Sequence, residues 1–234
     1  MRNEAPDLSR PVSVRRFEPR DRDALRRLCR LTGYMGEPAD WYWRHGRSFA
    51  DIWTAYYTDR EPESCFVAVR GERLVGFLTG CVDSRAAPSP ARKVTRAALR
   101  HLLFFRPGTA GFLWRGALDS IAQRGTPSGE LDDPRWPSHL HINLAAEARG
   151  CGAGRLLMEA WFARLAELGS PGCHLGTLHE NARAIGFFER MGFERFGDPV
   201  LAPGMRSPSG GRHHLQLMVR STPAAGAESG PSVC

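Results

Sequence analysis

Arg149-Gly150-Cys151-Gly152-Ala153-Gly154-Arg155 decides how the chain is read, because three glycines alternate with other residues between two apolar runs. Just before it, His139 to Leu144 alternates polar and apolar side chains, the period of a half-buried strand. Just after it, Gly152 to Leu168 reads as a helix. A glycine-rich turn lets successive backbone N–H groups face one point, and a helix N-terminus adds unpaired donors and the positive end of its dipole. The loop is therefore an anion site, to which Arg149 and Arg155 can add charge-assisted contacts. Two common phosphate loops are excluded. No lysine lies here, as a P-loop needs, and glycines at 150, 152 and 154 miss the spacing of G-x-G-x-x-G. What fits is R-x-x-G-x-G at Arg149, Gly152 and Gly154, a pattern too short to decide alone.

Working outward, His174 to Leu178 reads as a strand and Asn181 to Met191 as a helix, with Gly192 as its terminating glycine. Phe193 to Phe196 and His214 to Arg220 close the domain as strands, and the strand, helix, strand, helix, strand order from His139 to Phe196 is the pattern of an α/β core whose consecutive strands run parallel. Towards the N-terminus, Val12 to Phe17 is a strand and Asp21 to Leu31 a helix stopped at Gly33. The aromatic-rich Asp40 to Tyr57 is a second helical region. Ser64 to Arg70 and Leu74 to Val82 form a hairpin about Gly71-Glu72. Between residues 84 and 137 prolines punctuate two short helical pieces, Val94 to Phe105 and Gly111 to Gln123, and so long a connection is read as a functional insertion. One domain is expected over residues 12–220, with a flexible segment 1–11 before it and a disordered tail 221–234 after it.

Composition bounds the function. The 234 residues, 42% hydrophobic and 24% charged, suit one moderate domain and exclude wholesale disorder or a fibrous repeat. Met1 to Arg10 has no signal-peptide run, and the most apolar stretch, Phe112 to Leu118, is broken by Arg115 and Gly116. A soluble cytoplasmic protein with no membrane partner is expected. The net charge of +7 raises nucleic acid as a partner, but Lys93 is the only lysine and the arginines interleave with acids, as from Glu18 to Asp23. Nucleic acid is therefore disfavoured against a local basic patch for an anionic cofactor. The six cysteines form no C-x-x-C pair and are read as reduced thiols.

The decisive context is Asn181-Ala182-Arg183-Ala184-Ile185-Gly186-Phe187-Phe188-Glu189-Arg190-Met191-Gly192-Phe193, following the glycine loop by one helix and one strand. Together the two motifs resemble the GNAT superfamily of acetyl-CoA-dependent N-acetyltransferases, most closely over residues 138–196. The resemblance implies an α/β GNAT fold: a mixed, mostly antiparallel sheet, flanked by helices, with one parallel strand pair forming the acetyl-CoA cleft. It implies that Arg149, Gly150, Cys151, Gly152, Ala153, Gly154 and Arg155 grip the pyrophosphate through backbone N–H groups. The pantetheine arm then enters beside Leu144, with Asn181 and Phe188 close to it. An amine attacks the thioester directly.

The sequence departs from the family at Phe188, where the family usually has the tyrosine that protonates the departing thiolate. His179 is a substitute donor to consider. For the base, His139, His141 and Asn143 share one strand face. His141 is read as the base because imidazole titrates near neutral pH, against the plainer reading of a polar face covered by the insertion. His-x-His lacks a third ligand at a recognisable spacing, so no metal site is expected. Cys151 is read as a spacer rather than a reactive thiol. Trp41, Tyr42, Trp43, Trp53, Tyr56 and Tyr57 are core or acceptor-pocket residues, joined there by Trp114 and Trp136. A narrower resemblance, on Asp51-Ile52-Trp53-Thr54, Tyr56-Tyr57, Cys65 to Val69 and Pro137 to Leu144, runs to the GNAT-like domain attached to animal O-GlcNAcase and its free-standing bacterial relatives. The expectation is an N-acetyltransferase acting on a small-molecule or protein amine, with a homodimer left open. The alternative is a catalytically silent acetyl-CoA-binding module acting through a protein partner.

Overall fold

The computed structural model describes residues 10–123 and 131–222. Its seven strands form one sheet in the order β1 (Ser13–Arg16), β2 (Cys65–Arg70), β3 (Arg73–Cys81), β4 (Ser138–Leu144), β5 (Gly172–Leu178), β7 (Arg212–Ser221) and β6 (Glu194–Arg206). The β2–β3 hairpin turns at Gly71, whose φ of +61° a side chain would resist. All neighbours are antiparallel except β4 and β5, and that parallel pair is registered only at Ser138–Cys173 and His139–His174. Beyond those residues the two strands diverge.

β4, β5 and β6 run in one direction, as the alternation of strands and helices predicts, because β5 and β6 are both antiparallel to β7. A short turn joins β6 to β7, which forces them antiparallel, and β7 pairs with the whole of β5, leaving β6 at the edge. β6 also runs to Arg206, well past Phe196. Gly33 does not end its helix by a left-handed turn, because Thr32 caps α1 (Arg22–Leu31). Gly33 is small because an added Cβ would stand 2.5 Å from the Phe49 ring.

The sheet register sorts side chains to two faces. Leu140 and Ile142 share a face with their partners Gly80 and Leu78. There α6 (Ala153–Glu167) packs so closely that a Cβ on Gly80 would lie 2.2 Å from the Trp161 ring. His141 and Asn143 pair with Thr79 and Phe77 on the opposite face. That face is covered by α1 and by a rod of α2 (Gly46–Ala50), a π-helical turn (Asp51–Ala55) and α3 (Tyr56–Arg60). The insertion contributes α4 (Pro90–Arg100) and α5 (Ala110–Ala122), and α5 lies on β6. α7 (Ala182–Arg190) ends as the sequence predicts. Gly192 at φ +83° lets its N–H reach the Glu189 carbonyl and that of Phe193 reach Phe188, closing the helix with two returning bonds. The expected N-terminal and C-terminal segments fall almost wholly outside the described residues.

Candidate active site

The parallel pair fixes the site. Where β4 and β5 part, the backbone groups facing the gap lose their strand partner, and a cleft of about 580 Å³ opens between them. At one end lies the glycine loop. Gly150 and Gly152 have φ of +76° and +82°, and a Cβ on either would meet no protein atom within 4 Å. Their side of the loop is open space, backed by the N-terminus of α6. Gly154 is small for another reason, since its Cβ would press on Phe187 and Leu144 at 3.1 and 3.2 Å. An open cradle of backbone donors with no side chain in it fits a pyrophosphate.

Most of the sequence-predicted binding residues meet in this cleft: Leu144, Arg149, Gly150, Gly152, Gly154, Arg155, Asn181 and Phe188 line it, as do His141 and Asn143. Cys151, Ala153 and His139 do not. Cys151 is exposed, with its thiol directed at the Ala148 carbonyl, and Ala153 is packed inside. Asn181 also caps α7, its Oδ1 accepting from the Ala184 N–H. The arginines are differently employed. Arg155 pairs with Glu159 at 2.6 Å, while Arg149 donates to the Gly36 carbonyl. Arg183 donates to the Met35 carbonyl at 2.7 Å, so Arg149 and Arg183 hold the loop after α1 against the cleft. Sequence reasoning missed Arg183, Arg190, Thr32 and Thr177 as lining residues, although Arg183 stands inside the quoted motif.

At the other end, His141 and Asn143 border a second cavity of about 160 Å³ whose remaining wall is Cys29, Gly33, Phe49, Trp53 and Phe77. Among the described residues no acid or cation lines it. Beside it, the Tyr57 hydroxyl joins α3, β4 and α4: it lies 2.8 Å from His139 Nε2 and 2.9 Å from His141 Nε2, and accepts from Lys93 Nζ at 3.4 Å. Ser84 Oγ lies 2.7 Å from His139 Nδ1. Tyr57 was read only as an aromatic of the acceptor region. Its spacing of four from Trp53 was the available signal, because both rings stand 5.5 Å from that of His141. Asn143 donates to Thr32 Oγ1 at 2.9 Å, which fixes it to the end of α1.

This setting changes the imidazoles. Burial, then the charges of Lys93 and His174, push His141 down to about 3. Burial first, then His141, His174 and Lys93, hold His139 well below the usual histidine range. Both are neutral at pH 7, so titration near 6.5 does not describe them. His179 is exposed and outside the cleft. Trp114 is exposed, and Trp136 meets Phe196 edge to face, so neither lines the second cavity. Among the described residues no cluster of metal-ligating side chains is present.

The sequence model of the acetyltransferase (GNAT) family matches residues 31–193. Among solved structures, SsHAT is similar over 91% of this chain and 98% of its own, at 24% identity and a TM-score of 0.60. The yncA protein of Salmonella typhimurium, solved with its cofactor acetyl-CoA, is similar over 95% of this chain and 99% of its own, at 13% identity and TM-score 0.56. A ribosomal-protein-alanine N-acetyltransferase from Brucella melitensis is similar over 89% and 99%, at 17% identity and TM-score 0.55. At these identities the likeness is one of fold. The family match, the open glycine cradle and the parted parallel strands agree, and the chain belongs to the GNAT acetyltransferase family, with acetyl-CoA as co-substrate.

Proposed function

We propose that the protein transfers the acetyl group of acetyl-CoA directly to an amine carried on a small apolar body. One observation carries this reading: the cleft from the glycine loop and the uncharged second cavity meet at His141 and Asn143. Bound acetyl-CoA supplies an activated acetyl thioester. The backbone of residues 150–154 would hold its pyrophosphate, and the unpaired edge of β4 near Leu144 would hold its arm.

The chain's own residues then manage the amine. Its apolar body is taken by Phe49, Trp53 and Phe77, whose cavity has no carboxylate to receive a second cationic group. The amine nitrogen becomes strongly acidic as its new bond forms. Neutral His141 is the proton acceptor at that moment, oriented by Tyr57, with His139 behind the same hydroxyl. Asn143, tied to Thr32, sets the shape of the junction. Residues 12–220 are proposed as one functional unit, within which the 84–137 insertion supplies Ser84 and Lys93 to the acceptor side.

A thiol-release assay with acetyl-CoA over a panel of aryl-alkyl amines, polyamines and peptide N-termini tests the reading, with calorimetry in parallel. Release with aryl-alkyl amines supports it. Phe188 favours a second reading, since it puts a ring without a proton where the family usually has a hydroxyl. Acetyl-CoA binding without release across the panel would establish that silent module.

A further inference from the structure

Among the described residues, the most exposed large apolar side chains fall in one stretch of the chain. Leu99, Leu102, Phe105, Trp114, Leu118 and Ile121 are 58% to 84% exposed, all on α4, α5 and the segment joining them. Other exposed large apolar residues are isolated and only 39% to 45% exposed. On α5, Trp114, Leu118 and Ile121 follow the spacing of one helix stripe. The other side of α5 docks on β6, where a Cβ on Gly204 would lie 2.7 Å from the Phe112 carbonyl oxygen. Leu102 takes φ +50°, a left-handed conformation unfavourable for leucine, in the turn that leaves Leu102 and Phe105 in water. A stripe this large needs a partner.

Charge selects the partner. Arg92, Lys93, Arg96, Arg100, Arg106 and Arg115 fall in the same stretch against one acid, Asp119. Asp119 is buried and paired with Arg206 at 2.9 Å, so it does not offset the arginines, all five of which are exposed. A second copy related by a two-fold axis would bury the apolar stripe but set arginines against arginines. A nucleic acid would take the arginines and leave the stripe in water. An anionic bilayer surface satisfies both, with arginines at the headgroups and Leu, Phe and Trp side chains at the acyl boundary.

We propose that the segment from α4 to α5 is a membrane-surface anchor that lies on anionic lipid. Among the described residues no helix is long and apolar enough to cross a bilayer, and lying on its surface requires none. The expectation of no membrane partner corresponds to the outcome in which the protein ignores such a surface. Lys93 of α4 reaches Tyr57, so attachment would bring the acceptor side of the cleft towards the lipid.

Co-sedimentation of the full chain with phosphatidylcholine vesicles, with and without added phosphatidylglycerol, tests the proposal. Binding is expected only with the anionic lipid, weakening as salt rises. Arg100→Ser and Arg106→Ser should each weaken it about fivefold. Phe105→Glu with Trp114→Glu should abolish it, while acetyl-CoA affinity stays unchanged because neither residue lines the cleft. Phe105→Ser, at the most exposed position, gives a second reading should the double variant misfold. The proposal is overturned if the wild type ignores anionic vesicles, or if folded variants bind them equally well. It is also overturned if sedimentation velocity shows a dimer that Phe105→Ser dissolves while vesicle binding persists.

Discussion

The two ends of the cleft are built from different materials. The cofactor end is made of backbone: Gly150 and Gly152 in left-handed conformations, a helix N-terminus, and a strand edge without a partner. Its parts are close in sequence. The proposed acceptor end is made of side chains: His139 and His141 from β4, Tyr57 after the π-helical turn, and Ser84 and Lys93 from the insertion. Those residues span more than eighty positions and meet only in the folded chain. Backbone geometry leaves a local mark because particular glycines are required, whereas a side-chain cluster leaves none. Substitutions should therefore act on binding at one end and on turnover at the other.

The largest effect is expected at the cofactor end. Gly152→Val should abolish acetyl-CoA binding, because valine resists φ +82° by about 1–3 kcal/mol and would fill the open cradle. Cys151→Ala, beside it but outside the cleft, should leave affinity unchanged. Calorimetry on folded variants checks both, and unchanged affinity in Gly152→Val would remove the backbone cradle from the argument. At the acceptor end, His141→Ala should lower kcat by about 10²–10⁴ with acetyl-CoA affinity nearly unchanged. Tyr57→Phe keeps the ring but removes the hydroxyl shared by both imidazoles, and should lower kcat in the same direction by less. His139→Ala is the control. Equal, small losses at both histidines would mean that they only line a polar face.

What was legible follows the same division. The R-x-x-G-x-G loop, the helix after it and the Schellman-type end at Gly192 could be placed because each needs specific residues at specific spacings. The order of β6 and β7 could not, since pairing between distant strands is decided by which edge remains free. The shared face of His139, His141 and Asn143 followed from strand alternation. Their protonation did not, because desolvation depends on what covers the face, and Trp53, Tyr57 and Lys93 arrive from other elements.

That desolvation makes an intermediate-sized, global prediction. His141 is held at about 3 and His139 well below the usual range, while His174 is lowered by burial against the opposing pull of the Trp136 carbonyl. The unfolded chain binds protons at these sites below about 6.5, and the folded chain refuses them. Stability is therefore fully present above that pH and falls as pH drops; at His141 the loss runs on towards 3, by up to about 1.4 kcal/mol per pH unit, and His139 and His174 act in the same direction. Glu180 acts in a separate window. Burial alone would raise it, but His214, backbone donors and His213 hold it down to about 2, so its contribution is lost only below about 4.5. Thermal melts from pH 7 to 5 should show a shallower slope in His141→Gln and an unaltered one in Glu180→Gln. Identical slopes for wild type and His141→Gln would sink the burial argument.

The smallest effect tests the point where the two materials meet. Phe188 is buried on α7 yet lines the cleft, and its ring packs at an angle against Phe187 and edge-on to Phe193 at centroid distances of 5.3 and 5.8 Å. A tyrosine at this position keeps those contacts, because its ring is the same and only a hydroxyl is added. Phe188 lines the cleft that opens where β4 and β5 part, and on the proposed reading the added hydroxyl would assist the departing sulfur there. Thiolates leave readily, so a donor there assists rather than permits the reaction. Phe188→Tyr should accordingly preserve acetyl-CoA affinity and raise kcat modestly, within about tenfold, below the 10²–10⁴ typical of an indispensable acid. Stopped-flow thiol release measured above and below pH 8 separates the alternatives, since a gain from proton donation is larger where the free thiol is protonated. A folded Phe188→Tyr variant that loses acetyl-CoA binding would place the ring against the cofactor instead, and the acceptor side alone would then have to supply every proton-handling group.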